Sequence, residues 1–191
     1  MYSRISNLII GFHGCNKKTY ENVIYKNKPL NPSLNTYDWL GNGIYFWEQN
    51  LERARLWAKD KFGDDGAVVG AVIDLGYCLN LMDSKYIPLL KQGYELLKIR
   101  FESLDSELPK NHLGKDKLLR DLDCAVVEQI HDYNRLLIDY GEEDVKAFDS
   151  VRGLFIEGKP IYENSEFYDK THIQICIRNP NCIKGYFTPL K

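Results

Sequence analysis

Residues 39–46 of the chain read Trp-Leu-Gly-Asn-Gly-Ile-Tyr-Phe, and they join a polar loop to a strand-like run. Two glycines, Gly41 and Gly43, permit a sharp turn, and the apolar and aromatic residues that follow are typical of a strand. The third glycine and the order strand, glycines, helix are missing, which excludes a Rossmann dinucleotide fingerprint. The stretch therefore predicts a tight loop from which Tyr45 emerges at the start of a strand.

Further strand-like runs lie on both sides of this stretch. A strand is predicted at residues 8–14, ending in His13-Gly14. A short helix is predicted at 52–61 and a buried strand at 67–75. The last third of the chain returns to strands, at residues 153–156, 171–178 and 182–187. In the run 171–178 the isoleucines alternate with Gln174, Cys176 and Arg178, so one face is predicted to be core and the other to line a cleft.

The middle of the chain, residues 85–147, differs in character. Its apolar residues follow the spacing of two amphipathic helices, separated by a polar segment at 105–117 that contains Pro109 and Gly114. We predict an α+β fold in one domain, 1–191, with a sheet from both ends of the chain and an inserted helical pair at about 85–147. The pair is interpreted as a structural insertion, with the docking of a neutralising partner protein as the alternative.

Composition sets limits on partners and compartment. The 191 residues carry 25 basic and 27 acidic side chains, a net charge of −2, so no global charge favours nucleic acid or an anionic membrane. The N-terminal apolar run is too short for a secretory signal, and no stretch is long enough for a membrane span. The five cysteines have no C-x-x-C spacing, so we expect reduced, structural cysteines and no metal site. A cytoplasmic protein without membrane partners is expected.

Three pieces could carry chemistry, although each has a structural alternative. His13 lies beside glycine at a strand end, where a ligand can approach the backbone, but a turn residue is equally consistent with that position. Tyr45 follows the glycine turn. Gln174 lies in the late strand after an aromatic and acidic loop at 161–170, which is either a solvated connection or part of a site.

Taken in order, these pieces resemble the ADP-ribosyltransferase superfamily, and most closely its poly(ADP-ribose) polymerase-like branch, whose triad is His-Tyr-Glu. The resemblance covers residues 8–81 and 151–187. Gly43-Ile44-Tyr45-Phe46 is its most specific piece, and His13-Gly14 supports it. The implied fold is the split β-sheet core of that superfamily, and the implied co-substrate is NAD.

The resemblance also implies roles for individual residues. His13 would hydrogen-bond NAD at its adenosine ribose, Gly14 would offer backbone groups to the nicotinamide carboxamide, and Tyr45 would stack on the nicotinamide ring. The third triad position falls on Gln174 instead of glutamate. A glutamine offers a carbonyl acceptor without a negative charge, so slower cleavage and the transfer of a single ADP-ribose are expected.

Two further departures affect the expected pocket. A helix position where the family often has serine carries Arg53, and the second stacking aromatic falls on Leu56, with Trp57 beside it as a candidate wall. Glu166 is the first candidate for the missing carboxylate, ahead of Glu48 and Glu163, because the loop before the last long strand faces the acceptor in this superfamily. All three glutamates are alternatively surface charges.

The predicted function is therefore NAD-dependent mono-ADP-ribosyl transfer to a macromolecular acceptor, either protein or nucleic acid. Such an enzyme suits a bacterial toxin or phage-defence effector, with an antitoxin or regulatory protein as partner. Two alternatives stay open. The cleft could pass the ribosyl group to water, as an NAD glycohydrolase, or it could be an inactive module that binds ADP-ribose or a partner.

Overall fold

A seven-stranded sheet forms the centre of the structure, a computed structural model that describes residues 8–112 and 118–190. The strands of the described residues are β1 Leu8–Asn16, β2 Ile44–Glu48, β3 Gly66–Asp74, β4 Cys78–Asn80, β5 Asn111–His112, β6 Leu119–Arg120, β7 Ser150–Phe155, β8 His172–Ile177 and β9 Ile183–Phe187. Seven of them form the sheet in the order β4-β7-β8-β2-β1-β3-β9, while β5 and β6 form a separate antiparallel pair. Neighbours are antiparallel except for β4 and β7.

The helices of the described residues are α1 Lys17–Lys26, α2 Leu51–Phe62, α3 Ile87–Ser103 and α4 Asp121–Asp139. The predicted helix at 52–61 is confirmed as α2. No helix was predicted at 17–26, where α1 lies. Only three apolar residues of α1 face the core, but Asn16 caps its first turn by accepting from Thr19 N at 2.8 Å, and Asn27 ends it in a left-handed conformation.

Two apolar clusters cover different parts of the sheet. The first joins α1 to the sheet around fully buried Phe46, Ile73 and Ile175. The second lies between the helical pair and the half of the sheet that contains β7, around Leu79, Val127, Val151 and Cys176. The prediction that the second face of β8 lines a cleft was therefore only partly right. Cys176 is fully buried in the second cluster, because α4 covers that end of the strand.

The predicted helical pair is confirmed, since α3 and α4 pack against each other and on one side of the sheet. The connection between them holds the short antiparallel strands β5 and β6, which the polar composition did not indicate. Gly114 and Lys117 of that connection, and residues 1–7 at the N-terminus, lie outside the described residues. The mixed, mostly antiparallel sheet with four helices in the described part confirms the α+β class. No helix there combines the length and the apolarity needed to cross a bilayer.

His131 of α4 is a buried polar side chain beside the second apolar cluster. It is 6% exposed, it lies edge-on to the Phe148 ring, and its Nε2 has no hydrogen-bond partner within the described residues. Burial first, and then the positive charge of Arg178, lower its pKa to about 3, although Glu128 acts in the opposite direction. The folded protein therefore holds His131 in its neutral form.

Acidification should destabilise the fold through this histidine. The folded pKa lies below the unfolded value of 6.5, so its contribution is complete above pH 6.5 and is lost as the pH falls through the window toward 3. Between pH 7 and pH 5 the loss is about 2 kcal/mol, at 1.36 kcal/mol per unit. Between pH 7 and pH 5 the free energy of unfolding, measured in urea, should fall by about 2 kcal/mol less in His131→Leu than in the wild type. Equal losses in the two proteins would contradict this assignment.

Candidate active site

A cleft opens where β1 and β2 separate. The two strands pair only through Gly11 with Glu48 and Phe12 with Trp47. Beyond these pairs β1 continues beside β3 as far as Asn16, whereas β2 stays with β8. The gap between them has a volume of about 520 Å³, which lies within the range of small-molecule sites.

The structure brings most of the candidate residues to this cleft. The predicted residues that line it are His13, Gly14, Tyr45, Arg53, Trp57 and Gln174. They come from β1, β2, α2 and β8, elements that lie far apart in the sequence. Tyr45 and Gln174 reach the same side because β2 and β8 pair with Trp47 opposite Gln174.

The three candidate glutamates are the predicted residues that do not line the cleft. Glu166 is exposed and does not line the cleft, and the same holds for Glu163. Glu48 is engaged elsewhere, because its carboxylate accepts from Arg152 Nη2 at 2.7 Å. The carboxylates that do line the cleft are those of Glu157, which follows β7, and Asp38. The loop at 161–170 turns its glutamates to solvent, whereas Glu157, two residues after the end of β7, lines the cleft.

His13 bridges the two separating strands. Its Nδ1 lies 2.8 Å from the backbone oxygen of Tyr45. Burial lowers the pKa of His13, so the ring is neutral at neutral pH, even though the bond to Tyr45 acts in the opposite direction. A carbonyl can only accept, so Nδ1 carries the proton and donates, and Nε2 is left as an acceptor. His13 can therefore accept a hydrogen bond from a ligand hydroxyl.

Tyr45 contributes its ring to the cleft and its hydroxyl to the loop before it. The hydroxyl accepts from Leu40 N at 3.0 Å and donates to Gly41 O at 2.8 Å. Burial raises the pKa of Tyr45 well above its usual value, so the phenol stays protonated. With both hydroxyl functions engaged, Tyr45 is a fixed aromatic wall and not a base.

Gln174 is oriented by a residue that the sequence analysis quoted without a role. Trp39 Nε1 donates to Gln174 Oε1 at 2.6 Å, and the Trp39 ring packs against Phe155 with centroids 5.2 Å apart. An indole nitrogen can only donate, which fixes the amide with its oxygen toward Trp39. Trp39 thus occupies one of the two lone pairs of the Gln174 carbonyl oxygen, and the amide makes no other hydrogen bond among the residues described.

Arg53 and Glu157 form an ion pair in the wall of the cleft. Arg53 Nη2 donates to both carboxylate oxygens of Glu157, at 2.7 and 2.8 Å. Arg53 lies in the first turn of α2, where its backbone N–H donates to Asn50 Oδ1 at 2.9 Å. Its guanidinium lies 5.8 Å from the centre of the Trp47 ring, and Trp47 in turn contacts Trp57. This part of the cleft thus combines one neutralised ion pair with two indole rings.

The helical pair braces the loop that precedes Tyr45. Glu128 of α4 accepts from Asn42 N at 2.8 Å and pairs with Arg178, which also donates to Asn42 O at 2.9 Å. Desolvation raises the pKa of Glu128, but the hydrogen bonds from Arg178 and Asn42 outweigh it and leave the pKa below its usual value. The insertion therefore holds the Gly41–Gly43 turn in place, which is consistent with a structural role.

Neither thiol nor metal chemistry is suggested by the residues described. All five cysteines are free, and burial raises the pKa of each one, so none is a thiolate at neutral pH. Within residues 8–112 and 118–190 no group of three or more histidine, cysteine, aspartate or glutamate side chains is arranged to hold a metal ion.

Comparison with known proteins found one distant relative. The uncharacterized protein MJ0359 of Methanocaldococcus jannaschii is 27% identical over 190 residues, covering 91% of this chain and 83% of the relative. No family model matches the chain, and no solved structure matches it. The similarity extends over nearly the whole chain and carries no activity with it.

Proposed function

We propose that the chain is a mono-ADP-ribosyltransferase of the poly(ADP-ribose) polymerase-like kind, which uses NAD as co-substrate. The observation that carries the proposal is the meeting of His13, Tyr45 and Gln174 at one cleft, where two strands of an antiparallel sheet separate. These are the three positions that the resemblance assigns to the triad. The split of β1 from β2 also supports an ADP-ribosyltransferase-like fold.

The cleft offers groups that suit three parts of NAD: the nicotinamide, the adenosine ribose and the diphosphate. Tyr45 and Trp57 provide aromatic surfaces for the nicotinamide ring, and Gly14 lines the cleft with backbone groups. A Cβ at Gly14 would lie 2.8 Å from the Trp57 ring, so the glycine also lets α2 pack closely on β1. His13 Nε2 accepts from a hydroxyl of the adenosine ribose. Lys61 is exposed at the cleft, with its Nζ 4.6 Å from the centre of the Trp57 ring, and supplies positive charge for the diphosphate.

The reaction breaks the bond between the nicotinamide nitrogen and C1″ of its ribose. Nicotinamide leaves with the bonding electron pair, a nucleophilic atom of the acceptor bonds to C1″, and that atom gives up its proton to solvent. Holding the ring and the ribose in one geometry supplies most of the acceleration. Because position 174 carries no carboxylate, we expect transfer to stop at one ADP-ribose.

The loop between β7 and β8 is the proposed acceptor surface. It is held by its own backbone bonds, including Ile161 N to Phe167 O and Asp169 N to Lys159 O, both at 3.0 Å. It nevertheless exposes the rings of Tyr162 and Phe167 by 59% and 69%. An ordered loop with exposed aromatic rings can select a protein side chain or a nucleobase by contact.

A second candidate function is favoured by the bond between Trp39 and Gln174. A cation that develops at the ribose is stabilised by an acceptor or a negative charge. Gln174 carries no charge, and its carbonyl oxygen already accepts from Trp39 Nε1. A neutral and partly engaged acceptor suits a module that binds ADP-ribose or NAD without cleaving it.

Expression in the presence of isotope-labelled NAD, followed by mass spectrometry of protein and nucleic acid, tests the proposal. We expect some acceptor to gain the mass of one ADP-ribose unit. The purified protein is then incubated with NAD alone. Steady nicotinamide release without an acceptor would assign the chain as a glycohydrolase, and binding without release would assign it as a binding module.

A further inference from the structure

The ion pair of Arg53 and Glu157 is largely buried, unlike an ordinary ion pair at a protein surface. Arg53 is 8% exposed, and the side chain of Glu157 is 14% exposed, yet both line the cleft. Removing two charges from water is unfavourable, and replacing such a pair by apolar residues often stabilises a protein. A pair retained in the wall of a cleft is therefore a candidate for ligand recognition.

The hydrogen bonds within the pair determine which donors and acceptors remain for a ligand. Arg53 uses only Nη2 to hold Glu157, and its Nε is buried without a partner. Its Nη1 has no hydrogen bond among the residues described, and it is the guanidinium nitrogen left to the cleft. Each carboxylate oxygen of Glu157 accepts from that one nitrogen and keeps further acceptor capacity. A donor and an acceptor thus lie side by side.

The surroundings favour a flat ring beside this pair. The guanidinium is 5.8 Å from the centre of the Trp47 ring, whose centroid lies 5.4 Å from that of Trp57. Trp47 Nε1 and His172 Nε2 are also buried there, so the pair lies in a part of the cleft wall with little solvent access. In such a place a hydrogen bond discriminates strongly between ligands, because an unpaired polar group costs much more than in water.

Accordingly, we propose that the Arg53–Glu157 pair recognises the carboxamide of the departing pyridine and rejects the corresponding acid. Arg53 Nη1 donates to the amide oxygen, and Glu157 accepts from the amide NH₂ group. A guanidinium alone would favour a carboxylate, but Glu157 neutralises it and repels a second carboxylate. This inference rests on the proposed use of NAD and assigns the specificity of that site to two named residues.

Three dinucleotides that differ only at this substituent test the proposal by calorimetry. They are NAD, its 3-acetylpyridine analogue, which keeps the acceptor and lacks the donor, and nicotinic acid adenine dinucleotide, which carries a carboxylate. We expect the affinity to fall in that order, with NAD binding about 10-fold or more tightly than the acid. Equal affinities for the three would overturn the inference and leave the proposed function standing. Binding of none of them would refute the proposed function itself.

Variants locate the selectivity in the pair. Glu157→Gln keeps the size and an acceptor but removes the repelling charge, so the acid should gain about 10-fold relative to NAD. Glu95→Gln, an exposed glutamate of α3, is the matched control and should keep the wild-type ratio. The ratio of two affinities in one protein does not depend on its folded fraction, so a less stable Glu157→Gln still gives an answer. An unchanged ratio in Glu157→Gln would overturn the assignment.

Discussion

Replacing Gln174 by glutamate should raise the rate of nicotinamide release from NAD by about 2- to 30-fold. A carboxylate has two acceptor oxygens, so Trp39 Nε1 can keep one of them while the other faces the ribose. A hydrogen bond to a charged group contributes about 1.5–3 kcal/mol against about 1 for a neutral one. At 1.36 kcal/mol per tenfold, that difference gives the expected factor. Release is measured by chromatography of nicotinamide under saturating NAD.

The companion variants separate the charge from the geometry. Gln174→Ala removes both ends of the amide and should not raise the rate. Adding Trp39→Phe to Gln174→Glu removes the positioning donor while keeping a ring against Phe155, so part of the gain should be lost. If the wild-type protein binds NAD without turnover and Gln174→Glu shows turnover, the binding-module alternative is supported. A glutamate variant that binds NAD and stays at the wild-type rate would refute the assignment of position 174 to the ribose.

Truncating Tyr45 should weaken NAD binding by about 10- to 100-fold. Stacking on an aromatic side chain contributes about 1–3 kcal/mol per ring by alanine substitution. Tyr45→Ala removes that surface and also both bonds of the hydroxyl to the loop at Leu40 and Gly41. Titration calorimetry with NAD measures the loss.

Tyr45→Phe distinguishes the ring from the hydroxyl. It keeps the aromatic surface but leaves Leu40 N without a partner and Gly41 O with only the Cys176 thiol as a donor. We therefore expect about 1–3 kcal/mol of lost stability in urea, with NAD affinity reduced only severalfold. If Tyr45→Phe and Tyr45→Ala weakened binding equally, the role of Tyr45 as a stacking surface would be wrong.

The strands at the two ends of the chain could be predicted because their apolar runs are long and bounded by glycine and polar residues. The runs at 8–14, 67–75 and 171–178 all became strands of the sheet, with ends shifted by one or two residues. Helix α1 escaped notice because it presents few apolar residues to the core. The short β4 was also missed, since its three residues depend on pairing with β7 for their conformation.

Individual residues of the candidate site could be predicted from the sequence, whereas the side-chain contacts between them could not. His13, Tyr45 and Gln174 are visible because each occupies a recognisable strand context. The partners of Gln174 and Arg53 are not visible, since Trp39 and Glu157 lie 135 and 104 positions away in the chain. Side-chain pairing at that separation follows from sheet order and register, which a single sequence does not specify. For the same reason Glu166 was ranked ahead of Glu48 and Glu163, and Glu157, the glutamate that lines the cleft, was not considered.

The position of NAD in crystals of the complex tests the central claim most directly. The account predicts the nicotinamide ring against Tyr45 and Trp57, its carboxamide at Arg53 and Glu157, and an adenosine-ribose hydroxyl within hydrogen-bond distance of His13 Nε2. Density for NAD elsewhere on the protein, with the gap between β1 and β2 empty at saturating NAD, would contradict it.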